Sequence, residues 1–266
     1  GPDRRPYLTR GVVSKVGATQ DCAGCQAALA KEIGVTRIAI IGEDSLFPRM
    51  TRKGVEKWAK QLGLTVVLAE NYGSRKQGDY TALLQKIKSK RAEAIFSNSY
   101  FADAASQIRT LREMNYNLKI FASTVGPGLP RFAKDLGPTA EYVLGFTQWE
   151  PIPEKLGYPG MKEYIAGYTK KYGTPPNYHA GAAYGAMQVL EAAVKHAGSF
   201  DSEKVRNAYA TIDVMTMFGR YKVDSKGLSR HKGMTFQIQN GKRMIVWPKE
   251  QAQVKAKLPM PKWSER

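Results

Sequence analysis

At 266 residues the chain can form one large domain or two small ones, with a real buried core in either case. Hydrophobic residues at 42% and charged residues at 24% fit a globular protein, and no apolar run approaches the roughly 20 residues of a membrane-spanning helix. The formal net charge of +18 invites a polyanion partner, but the basic residues are spread along the polar faces of predicted helices, as in Arg49, Arg52, Lys53, Lys57 and Lys60. No recognition-helix or aromatic-stacking motif accompanies them, so nucleic acid is not an expected partner.

In chain order, Gly1-Pro2 resembles a protease-cleavage scar, so a targeting segment is expected to have been removed ahead of it. Tyr7 to Val16 reads as a leading strand or extended segment, followed by a helix over Thr19 to Ile33. Cys22 and Cys25 form Cys-Ala-Gly-Cys at the start of that helix, where a thiolate is favoured, so a redox enzyme is one reading. The preceding Gln20-Asp21 gives neither the strand nor the Trp/Pro flank of a thioredoxin-like site. With His179, His196 and His231 far away in sequence, a zinc site is not expected either, and a local disulfide or two quiet thiols is the expectation.

The stretch from Arg37 to Thr124 organises the rest. Arg37-Ile38-Ala39-Ile40-Ile41-Gly42 is a β-branched run closed by glycine and predicts a buried strand. Val55, Trp58, Ala59 and Leu62 then recur at helical spacing within Met50 to Leu62. Thr65 to Ala69 predicts a second strand, and Asp79 to Arg91 an Asp-capped helix with Leu83, Leu84 and Ile87 on one face. A strand (Ala94 to Asn98), a helix (Asp103 to Met114) and a strand (Lys119 to Ala122) complete the series. Strands alternating with helices in this way predict parallel βαβ units, whose ligands sit beyond the carboxyl ends of the strands.

Beyond this stretch, Tyr142 to Thr147 reads as another strand, and Trp149-Glu150-Pro151-Ile152-Pro153 as a crossover between domains. Helices follow over Met161 to Tyr172, Ala180 to Ala197 and Ser202 to Thr211, the middle one with Ala183, Met187, Leu190 and Val194 on one face. No sheet-forming run comes between them, and the next begins at Phe218. Met234 to Gln239 and Arg243 to Trp247 alternate apolar and polar residues about Asn240-Gly241, a β-hairpin signal.

These local words, in this order, resemble the type I periplasmic solute-binding proteins of ABC importers, in the branch similar to the leucine/isoleucine/valine-binding proteins. The resemblance is carried by Arg37-Ile38-Ala39-Ile40-Ile41-Gly42-Glu43-Asp44, Gly78-Asp79-Tyr80-Thr81-Ala82-Leu83-Leu84, Asn98-Ser99-Tyr100-Phe101 and Tyr178-His179-Ala180-Gly181-Ala182-Ala183-Tyr184. Phe218-Gly219-Arg220-Tyr221-Lys222-Val223-Asp224 and the closing hairpin also fit. The resemblance implies an α/β fold: a parallel-sheet lobe two over 7–148 and 219–266, and an incomplete helical remainder of lobe one over 149–218. It implies hinge closure on a small solute, a bacterial periplasmic location, delivery to ABC transporter membrane subunits, and neither catalysis nor a cofactor or metal. A ligand-sensing domain of the same fold, signalling to a protein partner, is the alternative.

Two departures follow from that resemblance. The family's segment ahead of this chain, which supplies most of the lobe-one sheet, has no counterpart here, so the lobe-one helices are expected to dock on a second copy, another chain or lobe two. The family's ammonium-holding glutamate falls at Val125, whose side chain cannot accept a hydrogen bond, so a neutral, carboxylate or aromatic solute is expected ahead of an α-amino acid, with an amino-acid-like ligand as the remaining option. The candidate ligand-binding residues are Phe47, Ser99, Tyr100, Thr124, Val125, Gly126, Trp149 and Tyr184. For Phe47, Trp149 and Tyr184 packing is the competing role, and for Ser99, Thr124 and Gly126 turn-capping. Glu43 and Asp44 read as loop and cap residues, since no histidine or nucleophile is grouped with them.

Overall fold

The computed structural model describes residues 15–73, 78–225, 227–229 and 233–266, with side chains from residue 24 onward. The expected leading segment lies almost wholly outside the described residues, as does the side chain of Cys22. Thr19–Thr147 and Met234–Arg266 form one unit; Gln148–Gly233 form a second, together with residues 15–18.

The first unit is built on a sheet. In chain order it contains α1 (Lys15–Glu32, from Thr19 onward), β1 (Arg37–Glu43), α2 (Leu46–Leu62), β2 (Thr65–Tyr72), α3 (Thr81–Ser89), β3 (Ala94–Asn98), α4 (Phe101–Glu113) and β4 (Ile120–Ser123). A 3-10 turn (Gly126–Gly128), α5 (Pro130–Leu136), a second 3-10 turn (Gly137–Ala140) and β5 (Leu144–Thr147) follow, and the hairpin β8 (Met234–Gln239) and β9 (Lys242–Trp247) returns to the same sheet. The strand order is β2-β1-β3-β4-β5-β8-β9, parallel from β2 to β5, while β8 and β9 run antiparallel. The parallel βαβ series is therefore as the hydrophobic pattern predicts.

Strand alternation sends Ile38 and Ile40 to one face, where they pack with Ala27, Ala30, Val55, Ala59, Phe96 and Ile120. Ala39, Ile41, Ile95 and Phe121 point the other way and are also buried. Each fully buried Ile or Leu contributes about 1.5–3 kcal/mol, which is why these strands read as continuous apolar runs. α2 ends at Gly63, whose φ of 69° lets its amide reach back to the carbonyls of Ala59 and Lys60.

The amino ends of the strands are tied by Glu93. Its carboxylate accepts from the Thr36 amide (2.7 Å), the Thr36 hydroxyl (2.9 Å) and the Arg37 amide (3.1 Å), and it pairs with Lys119. The hairpin turns at Asn240 and Gly241, with φ of 53° and 71°, and Glu141 accepts both amides, at 2.9 and 2.6 Å.

The second unit holds α6 (Pro153–Leu156), α7 (Met161–Tyr172), α8 (Tyr178–Ala197), α9 (Ser202–Thr211) and a small antiparallel pair, β6 (Val214–Thr216) and β7 (Gly219–Tyr221). α8 and α9 are capped by Asn177 and Asp201, which accept amides of their first turns. Although residues from 219 on are expected in the sheet lobe, β7 pairs with β6 and its Tyr221 packs with Val189, Ala193 and Tyr209 of the helices.

The buried stripe of α8 also differs from expectation. It consists of Gly181, Gly185, Val189 and Ala193, whereas Ala183 and Met187 are exposed. The small residues face inward because large side chains press on them. A Cβ at Gly181 would lie 2.9 Å from the Trp149 ring, and one at Gly185 would lie 2.6 Å from Phe218 Cβ.

Candidate functional site

The sheet unit has its topological switch between β1 and β3, because β2 flanks β1 on one side and the chain resumes on the other. Loops leaving the carboxyl ends of strands diverge at such a point and leave a crevice. Around it stand the segments after β1, β3 and β4.

After β1, Asp44 is held on the β2 end by its amide to the Tyr72 carbonyl (2.7 Å), and its carboxylate accepts from Arg49 (2.5 Å) and Asn71 (3.2 Å). The hydrogen bond from the Arg49 guanidinium, with that from Asn71, holds the Asp44 carboxyl down to about 2. Phe47, in the first turn of α2, is half-buried, its ring centroid 6.3 Å from that of Tyr100.

After β3 come Asn98, Ser99 and Tyr100. Asn98 is buried and donates to the Ile41 carbonyl (3.3 Å), fastening β3 to β1 at the switch. Ser99 is 1% exposed, whereas Tyr100 is 40% exposed and precedes α4 with an extended backbone. After β4, Thr124 and Val125 are half-exposed. The Thr124 hydroxyl and the Val125 amide both donate to the Ser99 carbonyl, at 3.1 and 3.4 Å. Gly126 is buried against α4, where a Cβ would meet Ala104 Cβ at 2.8 Å.

Behind these loops lies a polar network. Ser99 Oγ is 2.5 Å from both Tyr72 Oη and Ser97 Oγ, and Ser97 donates to Gln107 Oε1 (2.6 Å). Gln107 Nε2 donates to Tyr72 (3.2 Å) and Ser99 (3.4 Å). Tyr80 donates to the Asp103 carboxylate (2.7 Å) and meets Tyr72 edge to face at 5.2 Å. Burial pushes the Tyr72 and Tyr80 phenols up, and the Asp103 charge adds to both, so they act as protonated donors.

Of the predicted site residues, the structure brings Phe47, Ser99, Tyr100, Thr124, Val125 and Gly126 to this one rim. Phe47, Tyr100, Thr124 and Val125 keep surface exposed to solvent; Ser99 and Gly126 are buried. Trp149 and Tyr184 belong to the helical unit and are described within it. Trp149 is 0% exposed, donates to the Met217 carbonyl (3.0 Å) and stacks on Phe218 at 6.5 Å, as a core residue of that unit does. Tyr184 is exposed on α8, with its ring 4.5 Å from that of Tyr164. Sequence reasoning missed Tyr72, Tyr80, Asp103 and Gln107. Tyr72 ends a parallel strand, which was a usable signal for this rim. Among the described residues no group of three or more metal-ligating side chains occurs.

The sequence profile of the family described as periplasmic binding protein matches residues 10–242. The chain belongs to that family. A Leu/Ile/Val-binding protein homolog 7 of Brucella suis biovar 1 (strain 1330) is 31% identical over 242 residues, covering 87% of this chain and 60% of the relative. The chain thus spans about three fifths of the length of the curated relatives it matches. A leucine-binding protein from Thermotoga maritima MSB8 has a TM-score of 0.76 at 22% identity, covering 85% of this chain and 64% of that one. A solute-binding protein of an R. palustris ABC transporter, solved in complex with benzoate, has a TM-score of 0.73 at 14% identity, covering 90% and 65%. At these identities the two structures speak to the fold, and they agree with the mostly parallel sheet described above.

Proposed function

We propose that this periplasmic binding protein family chain binds a small solute at the rim after β1, β3 and β4, for delivery to ABC transporter membrane subunits in the bacterial periplasm. The reading is carried by one observation: Phe47, Tyr100, Thr124 and Val125 keep solvent-reaching surface around the β1/β3 switch, beyond the carboxyl ends of parallel strands. The sheet unit corresponds to one lobe of the family's trap and the helical unit to part of the other. Closure is favoured to the extent that the solute binds the closed state better than the open one.

The rim favours an aromatic or carboxylate solute over an α-amino acid. Val125 brings no acceptor for an ammonium group, and the Asp44 carboxylate is already paired with Arg49. An ammonium buried there without a partner would be costly, whereas a flat ring gains area and edge contacts against Phe47 and Tyr100. A thermal-shift panel of benzoate, other small carboxylates and L-leucine tests this. Stabilisation by benzoate or a related acid supports the reading, and a selective response to L-leucine overturns the argument from Val125. At a concentration 100 times Kd, a true ligand stabilises the protein by about 2.7 kcal/mol.

A further inference from the structure

Ser99 stands in the middle of the proposed rim, yet its hydrogen-bonding capacity is already used up. A serine hydroxyl gives one proton and accepts two. Ser97 gives its proton to Gln107 Oε1 at 2.6 Å, so across the 2.5 Å contact between the two serines Ser99 must be the donor. Ser99 then accepts from Tyr72 at 2.5 Å and from Gln107 Nε2 at 3.4 Å. Tyr72, having given its proton to Ser99, accepts the second Gln107 amide hydrogen at 3.2 Å. Tyr72 Oη also lies 3.5 Å from Asp103 Oδ2, its longer alternative acceptor, and along the shorter contacts every hydroxyl proton of the ring is used within the ring. The Ser99 carbonyl is filled as well, by the Thr124 hydroxyl at 3.1 Å and the Val125 amide at 3.4 Å.

We infer that Ser99 is a positioning residue rather than a ligand donor: its hydroxyl locks it to Tyr72, Ser97 and Gln107, and its carbonyl then sets the loop bearing Thr124 and Val125. The inference rests on the reading of this rim as a solute site only for its effect on binding. Spatially, the ring joins three elements that the rim needs in register, since Tyr72 ends β2, Ser97 and Ser99 lie in and after β3, and Gln107 is on α4. Asn98 and Ser99 are buried, so Tyr100, 40% exposed, is the polar side chain with which the loop after β3 reaches solvent.

The test compares Tyr72→Phe and Ser99→Ala with the unsubstituted protein, by amide hydrogen exchange at Val125 and Thr124 and by calorimetric titration with benzoate. Loss of one network hydrogen bond should speed exchange of the Val125 amide about tenfold in both variants and weaken benzoate by a similar factor. Tyr72 does not touch the loop after β4 through any bond given above, so a response there transmitted from its hydroxyl supports positioning. Unchanged Val125 exchange in Tyr72→Phe overturns the inference, as does loss of benzoate binding in Ser99→Ala with Val125 exchange unaltered, the behaviour of a direct donor. If Ser99→Ala fails to fold, Tyr72→Phe decides alone. If the unsubstituted protein ignores benzoate, the exchange result still judges Ser99, and it is the choice of solute that falls.

Discussion

Replacing Gly126 by alanine tests whether the β4 loop is packed as tightly on α4 as the geometry requires. The new Cβ would sit 2.8 Å from Ala104 Cβ, 3.3 Å from Phe101 Cα and 3.5 Å from Phe132 Cε2. The first two atoms are fixed to the helix backbone, and Phe132 is fully buried, so no flexible side chain can swing aside. Overpacking of this kind costs about 1–3 kcal/mol. Removing a glycine from the unfolded chain offsets about 0.4–1 kcal/mol of that. Taken at the middle of each range, the net loss is about 1.3 kcal/mol, or roughly 3–5 °C in Tm for a domain of this size. Gly167, inside α7 with nothing within 4 Å of its Cβ position, is the matched control, and Gly167→Ala should stabilise by up to about 1 kcal/mol. Urea and thermal melts of both variants measure the pair. A Gly126→Ala protein as stable as the parent would refute the packing argument.

Two further outcomes concern single side chains. Burial raises the Glu93 carboxyl, but Lys119, the Thr36 amide and hydroxyl and the Arg37 amide outweigh it and hold the group down to about 2, against an ordinary 4.5. Because the folded state is then the stronger acid, this stability is complete above about pH 4.5 and is lost as the pH falls from there through about 2. Glu93→Gln should flatten the acid side of a plot of urea midpoint against pH, and parallel curves for the two proteins would count against the assignment. Tyr80→Phe removes the 2.7 Å donor to Asp103, a hydrogen bond to a charged group worth about 1.5–3 kcal/mol, and should lower the urea midpoint accordingly. An unchanged midpoint would mean that Asp103 is satisfied without Tyr80.

The sheet was legible because β1, β3 and β4 are buried on both faces and so read as unbroken apolar runs, and because Asn240-Gly241 supplies the positive φ angles a two-residue hairpin needs. The inward face of α8 was not legible. Periodicity picks out bulky residues, and it chose Met187 and its neighbours, whereas the helix turns its glycines inward so that Trp149 and Phe218 can approach. β6 escaped notice because a three-residue strand carries too little pattern, whereas β7 falls in the sheet-forming run that begins at Phe218. At the rim, the strand-end rule pointed to six of the candidate residues, which lie in the segments after β1, β3 and β4. It could not tell an available hydroxyl from a committed one: the Ser99 proton goes to Ser97 because Ser97 gives its own to Gln107, and the Thr124 proton goes to the Ser99 carbonyl, neither of which the sequence carries.

The most direct measurement is isothermal titration of the protein with benzoate, run beside Tyr100→Ala. The account predicts saturable one-site binding to the parent, weakened about tenfold or more when the exposed Tyr100 ring is removed, as expected for the loss of an aromatic contact surface. Binding that is indifferent to Tyr100 would contradict the placement of the solute at this rim.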